Sequence, residues 1–570
     1  MSRTGNSSDT FPIRRFEGRI SRNGVWVVDL PMPMGCPLGF PARLVPPVPR
    51  PLAMPQDILL STLNARYLHA AFGLRYLMAN LGQLRPRAAL VEFDINQSVS
   101  EIAESILERN PRILGLGIYI WNVRPTTELI AILKRLRPDL VVILGGPEVS
   151  HEPEGQEIVT LADHVITGEA DLCFAEVCGR LLGEASGAPR PVPKILHAGL
   201  PDLARLELPY DLYDERDIAH RVIYVEASRG CPFTCEFCLS SLDIPVRQFP
   251  LDRFLGAMQR LLDRGVLRFK FVDRTFNLHL PTSLAILRFF LERMRPGLFV
   301  HFELVPDRLP EALRELIAQF PRGSLQFEVG LQTLNLEVEE RISRRQNHAR
   351  MEDNLRWLRD HSGVHVHADL IVGLPGEDIE SFGEGFDRLL ALGPQEIQVG
   401  ILKRLRGTPI VRHDVEWGMV YSPNPPYEVL QTRVLDFPTL GRLKRFAAFW
   451  DLFANSGRFS TTLPLLWSAA NPQSSAFKAF LAFSDELHRQ GVKTSGIALT
   501  RQFELLWDHA VRCTRIPPGV IAEALATDYV RSGRNDRPSW WSEEFGRLPS
   551  GRSSVASAPA RQARHLSETR

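Results

Sequence analysis

The sequence predicts an α/β chain: a Rossmann-like doubly wound parallel sheet, then a partial (βα)6 TIM-type barrel, then a helical C-terminal domain. Three observations carry this. Short apolar runs alternate with helix-like stretches from Asp57 to about Glu184, and the alternation resumes between about Val222 and Arg406. Beyond Pro425 it gives way to longer amphipathic and aromatic segments. Alternating strand and helix periods are the mark of a parallel sheet covered by helices.

In the first unit the strand-like runs are Ile58 to Thr62, Ala89 to Phe93, Ile113 to Ile120, Val141 to Leu144 and His164 to Ile166. Helix-like segments start near Tyr67, Ser100, Pro125, Gly155 and Asp171. Such sheets bind ligands at the carboxyl ends of their strands, here Leu63-Asn64-Ala65-Arg66, Tyr119-Ile120-Trp121-Asn122, Gly145-Gly146-Pro147-Glu148 and Gly168-Glu169. Glycines there let backbone approach a ligand closely, and Tyr119 and Trp121 suit the flanks of a flat macrocycle.

In the second unit the strands are Val222 to Ala227, Phe269 to Val272, Phe299 to Leu304, Leu325 to Val329, His367 to Val372 and Ile397 to Ile401. Helical stretches near Leu251, Leu284, Glu311, Arg350 and Ile379 lie between them. Reacting groups of a TIM-type barrel sit at the carboxyl ends of its strands. The domain plan is therefore an irregular or disordered extension over 1–55, the Rossmann-like domain over 56–190, a linker over 191–220, the barrel over 221–410, the helical domain over 411–530 and a disordered tail over 531–570. Met54, just before the first strand, is a candidate for the true translation start.

Composition narrows the function. The 570 residues, 44% hydrophobic and 23% charged, supply several domains with cores. A formal net charge of +1 gives no electrostatic case for a nucleic-acid or membrane partner. No run reaches the ~20 apolar residues of a membrane span. Seven cysteines, three of them clustered, suit a reducing compartment, and a cytoplasmic location is expected.

The clustered three are Cys231, Cys235 and Cys238, in the run Ser228-Arg-Gly-Cys-Pro-Phe-Thr-Cys-Glu-Phe-Cys after the first barrel strand. A structural zinc normally takes four ligands, and no second pair of cysteines stands near. Three thiolates on one loop can instead hold three irons of a 4Fe-4S cluster and leave the fourth open. C-x3-C-x2-C with an aromatic, Phe237, before the last cysteine resembles the signature of the radical S-adenosylmethionine (SAM) enzymes, whose open iron chelates SAM.

That resemblance extends to later strand ends. Asp273-Arg274-Thr275 follows strand two, where the family places a Gly-Gly-Glu for the methionine amino group, so Asp273 or Thr275 is implied for that role. An Asp273–Arg274 ion pair is the structural alternative. Glu328-Val-Gly-Leu-Gln332-Thr333 resembles the element near the ribose and methionine carboxylate, and Gly373-Leu-Pro375-Gly376-Glu377 resembles the turn by the adenine. Gly407-Thr408-Pro409 after strand six is also similar.

A Rossmann-like domain before such a core resembles the cobalamin-binding class of radical SAM proteins, which implies cobalamin contacts from Asn64, Tyr119, Trp121, Asn122, Gly145, Gly146, Pro147, Glu148, Gly168 and Glu169. The Asp-x-His-x-x-Gly element that supplies histidine to cobalt is missing; the chain reads Asn64-Ala-Arg-Tyr-Leu-His69, and His69 reads as a surface or interface residue. The region beyond Pro425 resembles an uncharacterised helical domain of one subgroup. Arg458 and nearby aromatics read as packing before pocket lining.

The resemblance implies a 4Fe-4S cluster, SAM and cobalamin as cofactors, and an electron donor such as flavodoxin or ferredoxin. The implied reaction is methyl transfer to an unactivated carbon of a small-molecule or natural-product substrate through a 5'-deoxyadenosyl radical, a scheme that requires no protein acid or base. A rearrangement or cyclisation with the same cofactors is the enzymatic alternative. An iron-sulfur or cobalamin sensor is the non-enzymatic one. Methylthiotransfer needs a second cluster, for which the other cysteines have no grouping.

Overall fold

The computed structural model describes residues 19–20, 26–27, 56–184, 191–243, 245–468, 475–534, 536–542, 545 and 560–566. In a separate N-terminal unit, Arg19–Ile20 pairs antiparallel with Trp26–Val27. The rest of the expected extension over 1–55, including Met54, lies outside the described residues.

The first sheet consists of β1 Ile58–Asn64, β2 Ala88–Asp94, β3 Ile113–Gly117, β4 Val141–Gly145, β5 His164–Thr167 and β6 Ile195–His197. All pairings are parallel, in the order β2-β1-β3-β4-β5-β6. The chain reverses direction of growth between β1 and β3, the switch point at which such sheets open a crevice. β1 is buried on both faces, as a central strand between two helical layers must be. Helices Val99–Glu108 and Val123–Leu136 cover one face and Phe72–Ala79 and Cys173–Leu181 the other.

Two expectations change here. β6 falls within the stretch read as a linker, because three residues following Pro191 and Pro193 are too short to show a period; the strand exists through its pairing of Val165 with Ile195. The third strand ends at Gly117 rather than Ile120, and the next residues form the loop that presents Tyr119.

The second sheet is β7 Ile223–Val225, β8 Arg268–Phe271, β9 Phe299–Leu304, β10 Leu325–Gln332, β11 His365–Val372 and β12 Glu396–Ile401. They pair in sequence order, all parallel, so each βα unit adds one strand to a growing open barrel. Helices Leu251–Asp263, Leu280–Glu292, Glu311–Ile317, His348–His361 and Ile379–Leu392 lie between them. Phe302 of β9 packs against Phe276 and against Phe271 of β8, with ring centroids 3.9 and 4.4 Å apart.

Past the barrel, helices Phe437–Phe453 and Ala476–Arg489 pack through Phe446, Trp450 and Phe480, and helices Leu499–Cys513 and Pro518–Arg531 join them through Phe483 on His509 and Phe503 on Tyr529. Phe459 belongs to this packing, its ring 5.4 Å from Phe453 and 4.6 Å from Phe503, and neither it nor Arg458 lines either pocket described below. The tail over 531–570 is not unstructured throughout. Trp540 and Trp541 are buried, and helix Ala560–Leu566 docks at the amino ends of the barrel strands, where Arg561 Nη2 lies 2.8 Å from Glu396. Serine- and arginine-rich composition hides this, because the order comes from ion pairs rather than from an apolar stripe.

Candidate functional site

The cysteine loop leaves β7 through Glu226-Ala-Ser-Arg-Gly230. Gly230 has φ +91°, and a Cβ there would stand 2.7 Å from the Asp243 carbonyl, so only glycine lets the loop close. The Cys231 amide then donates to that same carbonyl at 3.0 Å. Glu236, between the second and third cysteines, is the buried anchor. Its carboxylate accepts from Ser343 Oγ at 2.6 Å, His413 Nε2 at 2.8 Å and the Arg412 guanidinium, while its backbone bonds Ile342 and Ile410.

Cys231, Cys235 and Cys238 open into a pocket of about 240 Å³ with Phe237, Thr275, Glu328 and Gln332. Arg274, Glu303, Arg344, Arg345 and Asp369 complete its charged lining. Arg344 Nη1 lies 3.4 Å from Cys235 Sγ, a cation placed where a thiolate-held cluster carries negative charge. Gln332 is aimed into the pocket by a register shift in β10 that gives it φ +76°, as bulges do beside sites. Glu328 meets Lys270 Nζ at 3.4 Å and His301 Nε2 at 3.0 Å. Burial alone would raise its carboxyl, but His301 and Lys270 hold it well below the usual range.

A second cleft, about 510 Å³, lies between the carboxyl ends of the first sheet and the cysteine loop. Gly117, Tyr119, Gly145, Gly146, Pro147, Gly168 and Glu169 line it from one side, and Glu226, Ser228, Arg229 and Arg274 from the other. Gly146 has φ +104° and would drive a Cβ to 2.5 Å from the Ile118 carbonyl. Gly117 and Gly145 have no such reason: a Cβ on either meets its neighbours at an ordinary 3.5–3.6 Å. Their bareness is explained by the space they leave open in the cleft, which fits a broad flat ligand lying against the strand ends. Tyr119 stacks on Trp121 with centroids 4.5 Å apart and planes 5° apart.

The two cavities share Ser240 and Arg274. Arg229, two residues before Cys231, ties their walls together: Nη1 reaches Glu169 at 2.7 Å and Asp171 at 2.9 Å, Nε reaches Glu226 at 2.9 Å, and the guanidinium lies over Tyr76.

Several sequence candidates have other partners. Asn64 donates to Glu92 at 2.6 Å, within a buried network in which Arg75 and Arg221 join Glu92 to Asp217. Asn122 is fully buried, with Nδ2 on Thr62, Leu63 and Gly117 and Oδ1 receiving the Tyr119 amide; it shapes the loop rather than facing the cleft. The Trp121 indole donates to the Leu63 carbonyl, outside the cleft lining, so only Tyr119 of that pair faces the cavity. Glu148 accepts from Tyr427 at 2.6 Å and Arg406 at 3.0 Å, a clamp onto the loop after β12.

Asp273 does not pair with Arg274. It receives the Ala227 amide and Ser228 Oγ, and burial pushes its carboxyl up to about 7; Arg274 bonds Glu303 instead. Asp273 thus braces the start of the cysteine loop from outside the pocket, whereas Thr275 lines it. Gly373 and Pro375 also stand outside. A Cβ on Gly373 would meet Val429 at 2.5 Å, and the Pro375 carbonyl accepts from Arg341, because the chain beyond the barrel covers this turn. His69 Nδ1 meets Tyr224 OH at 2.6 Å, between the sheets and away from the cleft.

Sequence reasoning missed Arg229, Glu236 and Arg344. Arg229 carried a signal, a cation inside the cysteine motif at a strand end; the other two become visible only through partners more than a hundred residues away in sequence.

Comparison with known proteins agrees with this geometry. Residues 59–178 match the B12 binding domain, 225–389 the radical SAM superfamily and 415–564 a protein family of unknown function, DUF4080. The 2-(S-pantetheinyl)-carbapenam-3-carboxylate methyltransferase of Streptantibioticus cattleyicolor is 26% identical over 329 residues, 52% of this chain and 47% of that protein. The cobalamin-dependent radical SAM methyltransferase TokK of Streptomyces tokunonensis is 26% identical over 343 residues, 53% of this chain and 49% of its own length. The chain thus spans about half the length of these curated relatives. Among solved structures, the methyltransferase TsrM of Kitasatospora setae superposes with TM-score 0.52 at 17% identity, covering 67% of this chain and 80% of that one. The cobalamin-dependent SAM radical enzyme OxsB gives 0.54 at 13%, covering 83% and 79%. The domain pair implies a 4Fe-4S cluster, SAM and cobalamin as cofactors, and the chain is a cobalamin-binding-domain-containing radical SAM protein.

Proposed function

We propose that this protein transfers a methyl group to an unactivated carbon of a small-molecule substrate held where its two pockets meet. The observation that carries this reading is the shared wall: Ser240 and Arg274 line both the glycine-walled cleft and the cysteine pocket. When bound, the three cofactors supply reductive carbon-sulfur cleavage and a transferable methyl group.

Cys231, Cys235 and Cys238 would hold the cluster, and Phe237, Thr275, Glu328 and Gln332 would contact SAM. Gly145, Gly146, Pro147, Gly168, Glu169 and Tyr119 would cradle cobalamin. Arg344 offsets charge at Cys235, and Arg229 fixes one wall against the other. The working boundaries are 56–190, extended through His197, for the cobalamin domain, 221–410 for the barrel and 411–530 for the helical domain. No described helix is long and apolar enough to cross a membrane. We place the protein in the cytoplasm, where reduced thiols and one-electron donors such as flavodoxin or ferredoxin are at hand.

The test is anaerobic reconstitution with iron, sulfide and cobalamin, then incubation with SAM and a strong reductant. A corrin spectrum, with formation of 5'-deoxyadenosine and S-adenosylhomocysteine, supports the reading. A protein that holds iron but no corrin overturns it.

A further inference from the structure

Away from both pockets, helices Ala476–Arg489 and Leu499–Cys513 bring Glu486, His509 and Cys513 together. His509 and Cys513 stand four residues apart on one helix and so share a face. One donor atom from each of the three residues lies within 4.8 Å of the others. Glu486 and His509 are buried, while Cys513 is exposed.

The carboxylate is divided in a telling way. Oε1 is held by the Arg512 guanidinium and by Gln490 Nε2 at 2.9 Å. Oε2 faces the other two groups: it lies 2.5 Å from His509 Nδ1 and accepts from Cys513 Sγ at 3.8 Å. A metal-ligating carboxylate is arranged in this manner, with one oxygen braced by outer donors and the other directed at its co-ligands, whose hydrogen bonds to it an ion would replace. The Phe483 ring, 4.8 Å from the imidazole, fixes its orientation. A histidine–glutamate pair would need no thiol beside it; the convergence of thiol, imidazole and carboxylate is a ligand set matched to a borderline-soft cation.

We propose that Glu486 Oε2, His509 Nδ1 and Cys513 Sγ bind one zinc-class divalent cation that fastens these two helices, with a fourth position open toward solvent beside Cys513. Binding takes the neutral imidazole with its proton on Nε2, and the Cys513 thiol gives up its proton to solvent as the sulfur–metal bond forms.

The test uses the full chain with its iron-sulfur cluster reconstituted, equilibrated with equimolar zinc sulfate, desalted and analysed for zinc and iron. The expected result is one zinc per chain, reduced by about tenfold or more in Cys513→Ala, with iron unchanged. Because Cys513 is exposed, that substitution removes a ligand without opening the core, and a matching thermal unfolding curve without zinc establishes that the variant folds. Wild-type protein that retains no zinc, or equal zinc in wild type and Cys513→Ala, overturns the proposal.

Discussion

The two cavities meet at a shared wall yet are built by opposite means. The cleft of the first sheet is made by leaving side chains out: Gly117, Gly145, Gly146 and Gly168 bare the strand ends. The cysteine pocket is made by putting charged side chains in, with Arg274, Glu303, Glu328, Arg344 and Asp369 around the three thiols. A large, mostly neutral ligand needs area and close backbone approach, whereas a cluster and a zwitterionic sulfonium need fixed charges in a low dielectric. Damage to the first should therefore be steric and damage to the second electrostatic.

The largest expected effect is at the cysteine loop. Cys235→Ala should bring 5'-deoxyadenosine formation to background and lower iron content, while cobalamin retention measured by absorption stays near wild type. If corrin is lost too, the cavities are not separable. Next, Gly146→Ala should weaken cobalamin retention by about tenfold or more, since the added Cβ is both strained and in collision, on the order of 1–3 kcal/mol; iron content should not move.

Asp273 separates bracing from charge. Its folded carboxyl titrates near 7, above the ordinary value of an unfolded aspartate, so the folded protein binds the extra proton in between. Stability should then fall as pH rises from about 4 to about 7, by on the order of 1 kcal/mol per unit. Chemical denaturation across that range should show a shallower slope for Asp273→Asn. An unchanged slope would assign the dependence to another group, with Glu377, pushed up by burial to about 8, the next to test.

A smaller effect is expected at the clamp between the sheets. Arg406→Met leaves the buried Glu148 carboxylate with Tyr427 alone and should cost about 2 kcal/mol. It should appear as faster amide exchange in the loop after β4. Smallest is Arg561→Ala, about 0.5 kcal/mol, because the guanidinium is partly exposed and the buried Glu396 keeps His365 Nε2 at 2.9 Å; it should be visible as faster exchange confined to helix Ala560–Leu566.

Much of the architecture was legible in sequence because period is local. Strand and helix runs of both sheets can be read from neighbouring residues, and the C-x3-C-x2-C spacing with Gly230 before it encodes a loop that closes on itself. Less of the site was legible. Glu148, Asn122 and Gly373 stand at strand ends, where residues facing a ligand and residues bracing the scaffold share the same polar or small chemistry. The β6 strand and the docked tail helix escaped because one is three residues long and the other is held by ion pairs.

The sequence by itself determined the order of the longer strands and helices, the three-thiol loop after β7 and the glycines at the strand ends, since each follows from the conformational preferences of adjacent residues. Only the tertiary structure decided which strand-end groups face the cavities and which face one another. Arg406 and Glu148 are 258 residues apart, and Arg412 and Glu236 are 176 apart. A side chain's hydrogen-bond partner is chosen by what the folded sheets bring within about 3 Å of it, a distance that no local pattern encodes.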